Sequence, residues 1–277
     1  MITVASPAQL ALVLDWAAAE GWNPGNADAI TFRAADPDGF LLARVGGEPV
    51  AAISLVHYGA DHSFLGLYLV PPALRGRGHG LAIWQAAIAR AGARGIGLDG
   101  VVAQQANYRR SGFVFAWNNA RMQGVGIAPV ADDPHIVALA DLPSARVGAY
   151  DAAIFGAPRP GFLRAWIDQP GAAALGYLRD GALVGIGVMR ACRVGCKVGP
   201  LFADDEEVAE TLVTALRARA GENKPVFLDI PQSNPAAVAL AARHGLTQVF
   251  ETARMYRGAP PPVALDRVYG ITTFELG

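Results

Sequence analysis

Between Leu69 and Gly80 the chain reads Leu-Val-Pro-Pro-Ala-Leu-Arg-Gly-Arg-Gly-His-Gly, so that Gly76, Gly78 and Gly80 alternate with Arg75, Arg77 and His79. An apolar strand-like run precedes the segment and a helix-like run follows it. Glycines let successive backbone N–H groups converge with no Cβ in the way. The start of the following helix adds its partial positive charge, so a pyrophosphate fits there, with Arg75 and Arg77 at the rim. The plain alternative is a glycine-rich strand-to-helix turn that binds nothing. It is not a Walker loop, lacking GK[ST], nor a dinucleotide fingerprint, because no GxGxxG follows the first strand.

Elements that position this loop are legible from periodicity. Residues 7–20 carry apolar side chains at helical spacing, with Ser6 as N-cap. Residues 40–45 and 50–58 read as strands joined by a Gly-Gly-Glu-Pro hairpin, and 64–70 as a third strand. A helix over 81–91, a strand around 96–102, a helix near 105–111 and a strand from Phe113 complete the run. The order then recurs: a hairpin at 177–190, a strand at 196–203, a helix from Asp205, a strand at 225–230, a helix from Asn234 and a final strand. Asp99 answers Asp229 at an offset of 130, Gly112 answers Gly245 at 133, and Val50 answers Val184 at 134. Three matches in order predict a duplication.

Composition limits the rest. The 277 residues carry 23 Lys+Arg against 24 Asp+Glu, and this balance argues against a nucleic-acid module. With 52% apolar and 17% charged residues the chain has ample material for packed cores. No apolar run of membrane-spanning length and no secretory leader is visible, so a cytoplasmic protein away from membranes is expected. Cys192 and Cys196 are the only cysteines, and no histidines stand at metal-ligand spacing, so no metal is expected.

The pattern V-x-P-x-x-R-G-x-G-x-G after a strand resembles the acyl-CoA loop of the GNAT superfamily of N-acyltransferases, whose [Q/R]-x-x-G-x-[G/A] falls on Arg75, Gly78 and Gly80. Tyr108-Arg109-Arg110-Ser111-Gly112-Phe113 is similar to the family's Y-x-x-x-G-F element. With Glu20-Gly-Trp-Asn-Pro-Gly and the tail from Arg267, the chain looks like a tandem GNAT N-acetyltransferase of the YitH-like, holothin-acetyltransferase-like kind. The resemblance implies an α+β fold of two tandem GNAT-like domains, each a mixed, mainly antiparallel sheet flanked by helices. Residues 1–123 form the catalytic domain, 124–134 the linker, and 135–277 a degenerate domain that shapes the acceptor pocket or holds a dimer.

Carried over, Leu69 and Val70 pair with the pantetheine arm of acetyl-CoA, and the Val70 N–H faces the thioester oxygen. Arg75, Gly76, Arg77, Gly78, His79 and Gly80 cradle the pyrophosphate, and one of the amides of Gln104, Gln105 and Asn107, with Asn107 named as the cofactor contact, stands in for the family's missing helix asparagine. Tyr108 falls where the family places the acid that protonates the departing CoA. Trp22 and Asn23 are candidate acceptor contacts in a substrate-covering loop, and His57, Tyr58, Asp61 and His62 are the candidate bases in place of the missing strand-four carboxylate. Glu251, Arg254, Tyr256 and the tail Phe274-Glu275 are candidates for a cleft that takes a cationic acceptor, against the plainer reading of strand residues over an apolar core. In the second half Asn234 fits the family asparagine, Ala241 replaces the tyrosine, and Asp204-Asp205-Glu206-Glu207 replaces the glycine cradle. Four carboxylates there repel a pyrophosphate. The implied activity is direct acetyl transfer to a primary amine of a small molecule. The alternatives are a non-catalytic acyl-CoA sensor or protein-interaction module, and acetylation of a protein amine; a homodimer also stays open.

Overall fold

In a computed structural model that describes residues 1–277, ten elements occur twice in the same order. The first half comprises β1 (Ile2–Val4), α1 (Pro7–Ala19), α2 (Asp28–Ala35), β2 (Phe40–Val45), β3 (Glu48–Tyr58), β4 (His62–Leu69), α3 (His79–Ala91), β5 (Gly95–Val101), α4 (Gln105–Arg110) and β6 (Val114–Val125). The second comprises β7 (Ile136–Ala138), α5 (Ser144–Phe155), α6 (Pro160–Ile167), β8 (Ala173–Arg179), β9 (Ala182–Ala191), β10 (Cys196–Ala203), α7 (Glu206–Ala220), β11 (Pro225–Pro231), α8 (Pro235–Arg243) and β12 (Thr247–Arg257), and is followed by a short β13 (Val268–Gly270). No helix is long and apolar enough to cross a membrane.

Local chemistry accounts for the ends of these elements. The Ser6 hydroxyl accepts the Gln9 N–H while the Gln9 side chain accepts the Ser6 N–H, closing a capping box with Pro7 in the first turn. Gly46 and Gly47 have φ of 58° and 90°, the left-handed pair that a two-residue hairpin between β2 and β3 requires.

The two halves share one sheet of order β1-β2-β3-β4-β5-β12-β6-β11-β10-β9-β8-β7. The halves have therefore exchanged their last strands: β12 lies between β5 and β6, and β6 lies between β12 and β11. Two buried bidentate ion pairs hold the exchange, each joining a fifth strand of one half to the last strand of the other. Arg254 Nε and Nη2 reach Asp99 at 2.7 and 2.8 Å. Arg121 Nε and Nη2 reach Asp229, both at 2.7 Å.

Alternation along β3 distributes the cores. Ala52 and Val56 face a core shared by α1, α2, α5 and α6, in which Phe32 stacks on Trp166 at 6.1 Å. Ala51, Ile53 and Leu55 face a separate core under α3 and α4. A third core lies under α7 and α8. The shared core and the exchanged strands bring the second half against the functional end of the first.

Candidate active site

β4 and β5 pair in parallel only where His62–Leu65 meets Gly95–Leu98. Beyond that point β4 bulges: Gly66 faces Ser54 and Leu69 faces Ala52, three steps on one strand against two on the other. Leu67 sits in the bulge at φ 44°, a left-handed conformation that costs an L-residue about 1–2 kcal/mol, with its side chain anchored in the shared core. The strands splay and leave a cavity of about 350 Å³. One wall is Gly66–Val70, the other is Leu98, Asp99 and Val101. Tyr108 and Gln104 also line it, and the second half contributes Phe250, Thr252, Phe274 and Glu275.

The glycine loop runs on from β4 to α3. Gly76 and Gly78 have φ of 76° and 82°, and a Cβ at either would meet nothing, so the loop is open to an incoming group. Gly78 is the N-cap of α3 and offers no side chain, leaving the first N–H groups of the helix without a capping partner. Gly80 is needed for another reason: a Cβ there would lie 2.8 Å from the Tyr68 hydroxyl. An open cleft leading to uncapped N–H groups fits a long thioester ending in a pyrophosphate.

The corresponding region of the second half has the opposite character. β10 and β11 also pair only at Cys196–Val198 with Val226–Leu228 before splaying. That gap is filled by the chain itself. β13 pairs with Leu201 and Phe202, the Ile271 N–H donates to the Asp229 carbonyl at 2.8 Å, and Asn234 Nδ2 donates to the Val268 carbonyl at 3.0 Å. A Cβ on Gly270 would come within 2.6 Å of Leu228. The start of α7 is capped by the Asp205 carboxylate, with Glu206 and Glu207 in its first turn.

Tyr108 is buried with its ring stacked on Trp84 at 5.7 Å and edge-on to Phe113 at 6.3 Å. Gly100 makes the space, because a Cβ there would lie 2.4 Å from the tyrosine ring. Burial, with the neighbouring Tyr68 phenol, pushes the Tyr108 hydroxyl up to about 12. It therefore stays a neutral hydrogen-bond donor throughout the physiological range.

At the far end, the Trp22 carbonyl is held by two buried cations, Arg121 Nη1 at 2.9 Å and Lys197 Nζ at 3.0 Å. The Arg121 guanidinium lies 4.8 Å over the Phe274 ring. Gly66 has no room for a Cβ, since the Glu275 carbonyl would be 2.1 Å from it, so the C-terminal tail crosses directly over the bulge.

Of the residues singled out in the sequence, Trp22, Leu69, Val70, Arg75, Tyr108, Phe274 and Glu275 line the cavity together, Arg254 and Tyr256 do not, and Gly76, Arg77, Gly78, His79 and Gly80 form the loop beside it. Arg75 does not project freely: its Nε donates to the Val70 carbonyl at 2.9 Å and its Nη2 pairs with Glu20. Asn107 is exposed and bonded to Gln104, and it is Gln104 that lines the cavity. Asn23 lies outside it and grips the Val194 N–H and carbonyl at 2.8 and 2.9 Å. His57 lies outside it, its N–H bonded to Asp36 and its Nδ1 to Ser63. Glu251 occupies the strand position between the cavity-lining Phe250 and Thr252 and therefore faces the other side. Tyr68, Asp99, Arg121, Phe250 and Thr252 line the cavity without having been singled out for it. Asp99 carried a signal in its match with Asp229, and Arg121 one in the Ala-Arg-Met that recurs at 253–255.

Comparison with known proteins agrees with this geometry. Residues 9–113 match the Acetyltransferase (GNAT) family and residues 147–270 the Acetyltransferase (GNAT) domain. Holothin acyltransferase of Pseudoalteromonas sp. (strain SANK 73390) is 30% identical over 266 residues, 96% of this chain and 90% of that one. The uncharacterized N-acetyltransferase YitH of Bacillus subtilis (strain 168) is 26% identical over 129 residues, covering 47% of this chain and 45% of its own length. Among solved structures, a Pyrococcus horikoshii protein assigned to the acetyltransferases superposes with a TM-score of 0.83 at 24% identity, covering 100% of this chain and 95% of its own. A tandem GNAT protein from the clavulanic acid biosynthesis pathway gives 0.65 at 18%, covering 94% and 99%.

Proposed function

This chain belongs to the GNAT acyltransferases, and from that premise we propose that it transfers an acetyl group from acetyl-CoA directly to a primary amine of a small molecule. The observation that carries the reading is the cleft between β4 and β5, which opens onto the uncapped start of α3 and is closed at its other end by the second half. Acetyl-CoA, when bound, supplies a thioester whose carbonyl carbon an amine can attack. The backbone of Leu69 and Val70 holds the pantetheine arm, and the Val70 N–H donates to the oxygen as it gains charge. The loop from Arg75 to Gly80 takes the pyrophosphate. Arg75, tied to Glu20 and to Val70, fixes the loop against the end of β4.

Tyr108 donates its hydroxyl proton toward the departing sulfur. Its raised pKa makes it a poor ionised group and a durable donor, which suits stabilising a thiolate as it forms. Trp22, Phe250 and Phe274 enclose the acceptor end, and so small a space favours a small amine over a folded protein surface.

Two measurements test the reading. Calorimetric titration is expected to give one equivalent of acetyl-CoA per chain, because the second cleft is occupied by β13. Two equivalents would mean that the tail leaves that cleft. Tyr108→Phe is expected to lower kcat at least tenfold with acetyl-CoA affinity changed less than about twofold, positioned acid catalysis being worth roughly 10²–10⁴. Equal turnover in both proteins removes Tyr108 from the reaction.

A further inference from the structure

We propose that Glu275, carried on the C-terminal tail of the second half, receives the acceptor amine as a primary ammonium and takes its proton. The inference rests on the acyl-transfer reading of the cavity and adds the group that reading lacks, since β4 offers no carboxylate.

Three carboxylates line the cavity. Glu20 is paired with Arg75, and Asp99 is held by Arg254 and by Asn119. Glu275 forms no ion pair; its side chain is bonded only to the Thr273 hydroxyl, although it is just 5% exposed. A buried carboxylate without a direct cation is costly unless charge elsewhere compensates it or a ligand supplies the partner. The charges around it come from five elements: Arg121 on β6, Arg190 on β9, Lys197 on β10, Asp229 on β11 and Asp28 on α2. Arg121 is paired with Asp229 and Arg190 with Asp28, which leaves Lys197 and Glu275 as the unpaired cation and anion. The cluster is thus neutral overall, and the carboxylate of this cavity-lining residue has no cation bonded to it.

The tail is built to hold that position. Its carbonyl at Glu275 packs on Gly66 in the bulge of β4, the Tyr58 hydroxyl donates to the Leu276 carbonyl at 2.8 Å, and the Gly277 N–H donates to the Thr273 carbonyl at 2.9 Å. Glu275 therefore stands over the strand that flanks the reacting carbonyl. Trp22, Phe250 and Phe274 beside it provide flat apolar walls, so the acceptor class is a primary amine on a compact, flat apolar body.

The Glu275 carboxylate takes one proton from R–NH₃⁺ and later passes it to solvent. The freed lone pair forms the C–N bond, the C–S bond breaks, the nitrogen loses its second proton, and the thiolate ends protonated. The net products are the amide, the free thiol and one proton.

The test uses the full chain, acetyl-CoA, and two probe amines: 2-phenylethylamine, an ammonium at neutral pH with a pKa of about 10 like that of lysine, and aniline, which is neutral there. Glu275→Gln is expected to lower kcat/KM for 2-phenylethylamine at least about a hundredfold at pH 7. The deficit should narrow to within about tenfold near pH 10, where the amine arrives without its extra proton. With aniline, wild type and variant should agree within about threefold at pH 7, a pattern that lost packing cannot produce. Equal losses with both amines at every pH would overturn the proposal, as would wild-type protein that binds acetyl-CoA and acetylates neither probe. Wild-type protein that binds no acetyl-CoA would instead bring down the acyl-transfer reading itself.

Discussion

Gly78→Glu should lower the affinity for acetyl-CoA by at least about a hundredfold, roughly 2.8 kcal/mol. The substitution acts on the fold through the backbone and on binding through the added charge. Gly78 is the left-handed N-cap of α3 at φ 82°, where an L side chain costs about 1–2 kcal/mol. The added carboxylate then stands at the positive end of the helix dipole and competes with the pyrophosphate for the same N–H groups. Because a Cβ at this position meets no other atom, the fold itself should lose little more than the backbone strain. Gly78→Asn separates the two contributions, since asparagine tolerates the left-handed region and brings no charge. Calorimetry should show the asparagine variant binding within about tenfold of wild type. A glutamate variant with wild-type affinity would mean that the pyrophosphate lies elsewhere.

The difference between what the sequence discloses and what it hides lies in range. The loop is legible because its chemistry is local: Arg75 to Gly80 are six consecutive residues, and the strand and helix on either side announce themselves by periodicity. The duplication is legible because Asp99, Gly112 and Val50 find counterparts in Asp229, Gly245 and Val184 at nearly one offset, and the two last strands are alike too, each carrying Ala-Arg-Met, at 120–122 and 253–255. That same likeness conceals the strand exchange. Either last strand offers an arginine to either aspartate, so local chemistry does not decide whether β6 or β12 lies beside β5. Tertiary packing decides it, and with it which half supplies Phe250 and Thr252 to the cavity. His57 stands out by residue type and Asn23 by its place in the loop, yet their side chains are taken up by Ser63 and by Val194, the latter 171 positions away. The helices α2, α5 and α6 do not stand out by periodicity; two have only eight residues, and their identity as helices shows in the shared core rather than in the local pattern.

Asp229→Ala should be the most destabilising single change, costing about 3–5 kcal/mol, because it leaves the buried Arg121 guanidinium without its anion beside Lys197 and Arg190. Against a typical total of about 5–15 kcal/mol this is a large fraction, and urea unfolding should read it directly. A loss below about 1 kcal/mol would show that solvent or a rearranged neighbour compensates the arginine. The pair also predicts an acid limb. Burial works against the ionised Asp229 carboxyl, but Arg121, with Lys197 and Arg190, more than offsets it and holds the group below its usual range. A carboxyl with a depressed folded pKa contributes stability that is present above about pH 4 and is lost as pH falls below it. The combined variant Asp229→Leu with Arg121→Met removes both charges and should recover most of the stability while flattening that limb. It should nevertheless turn over at least tenfold more slowly, because the Trp22 carbonyl loses one of its two donors and the Phe274 ring loses the guanidinium above it. A combined variant both stable and fully active would reduce the pair to a device for joining the halves; one that is stable and slow would mean that the bond joining β6 to β11 also sets the acceptor end of the cavity.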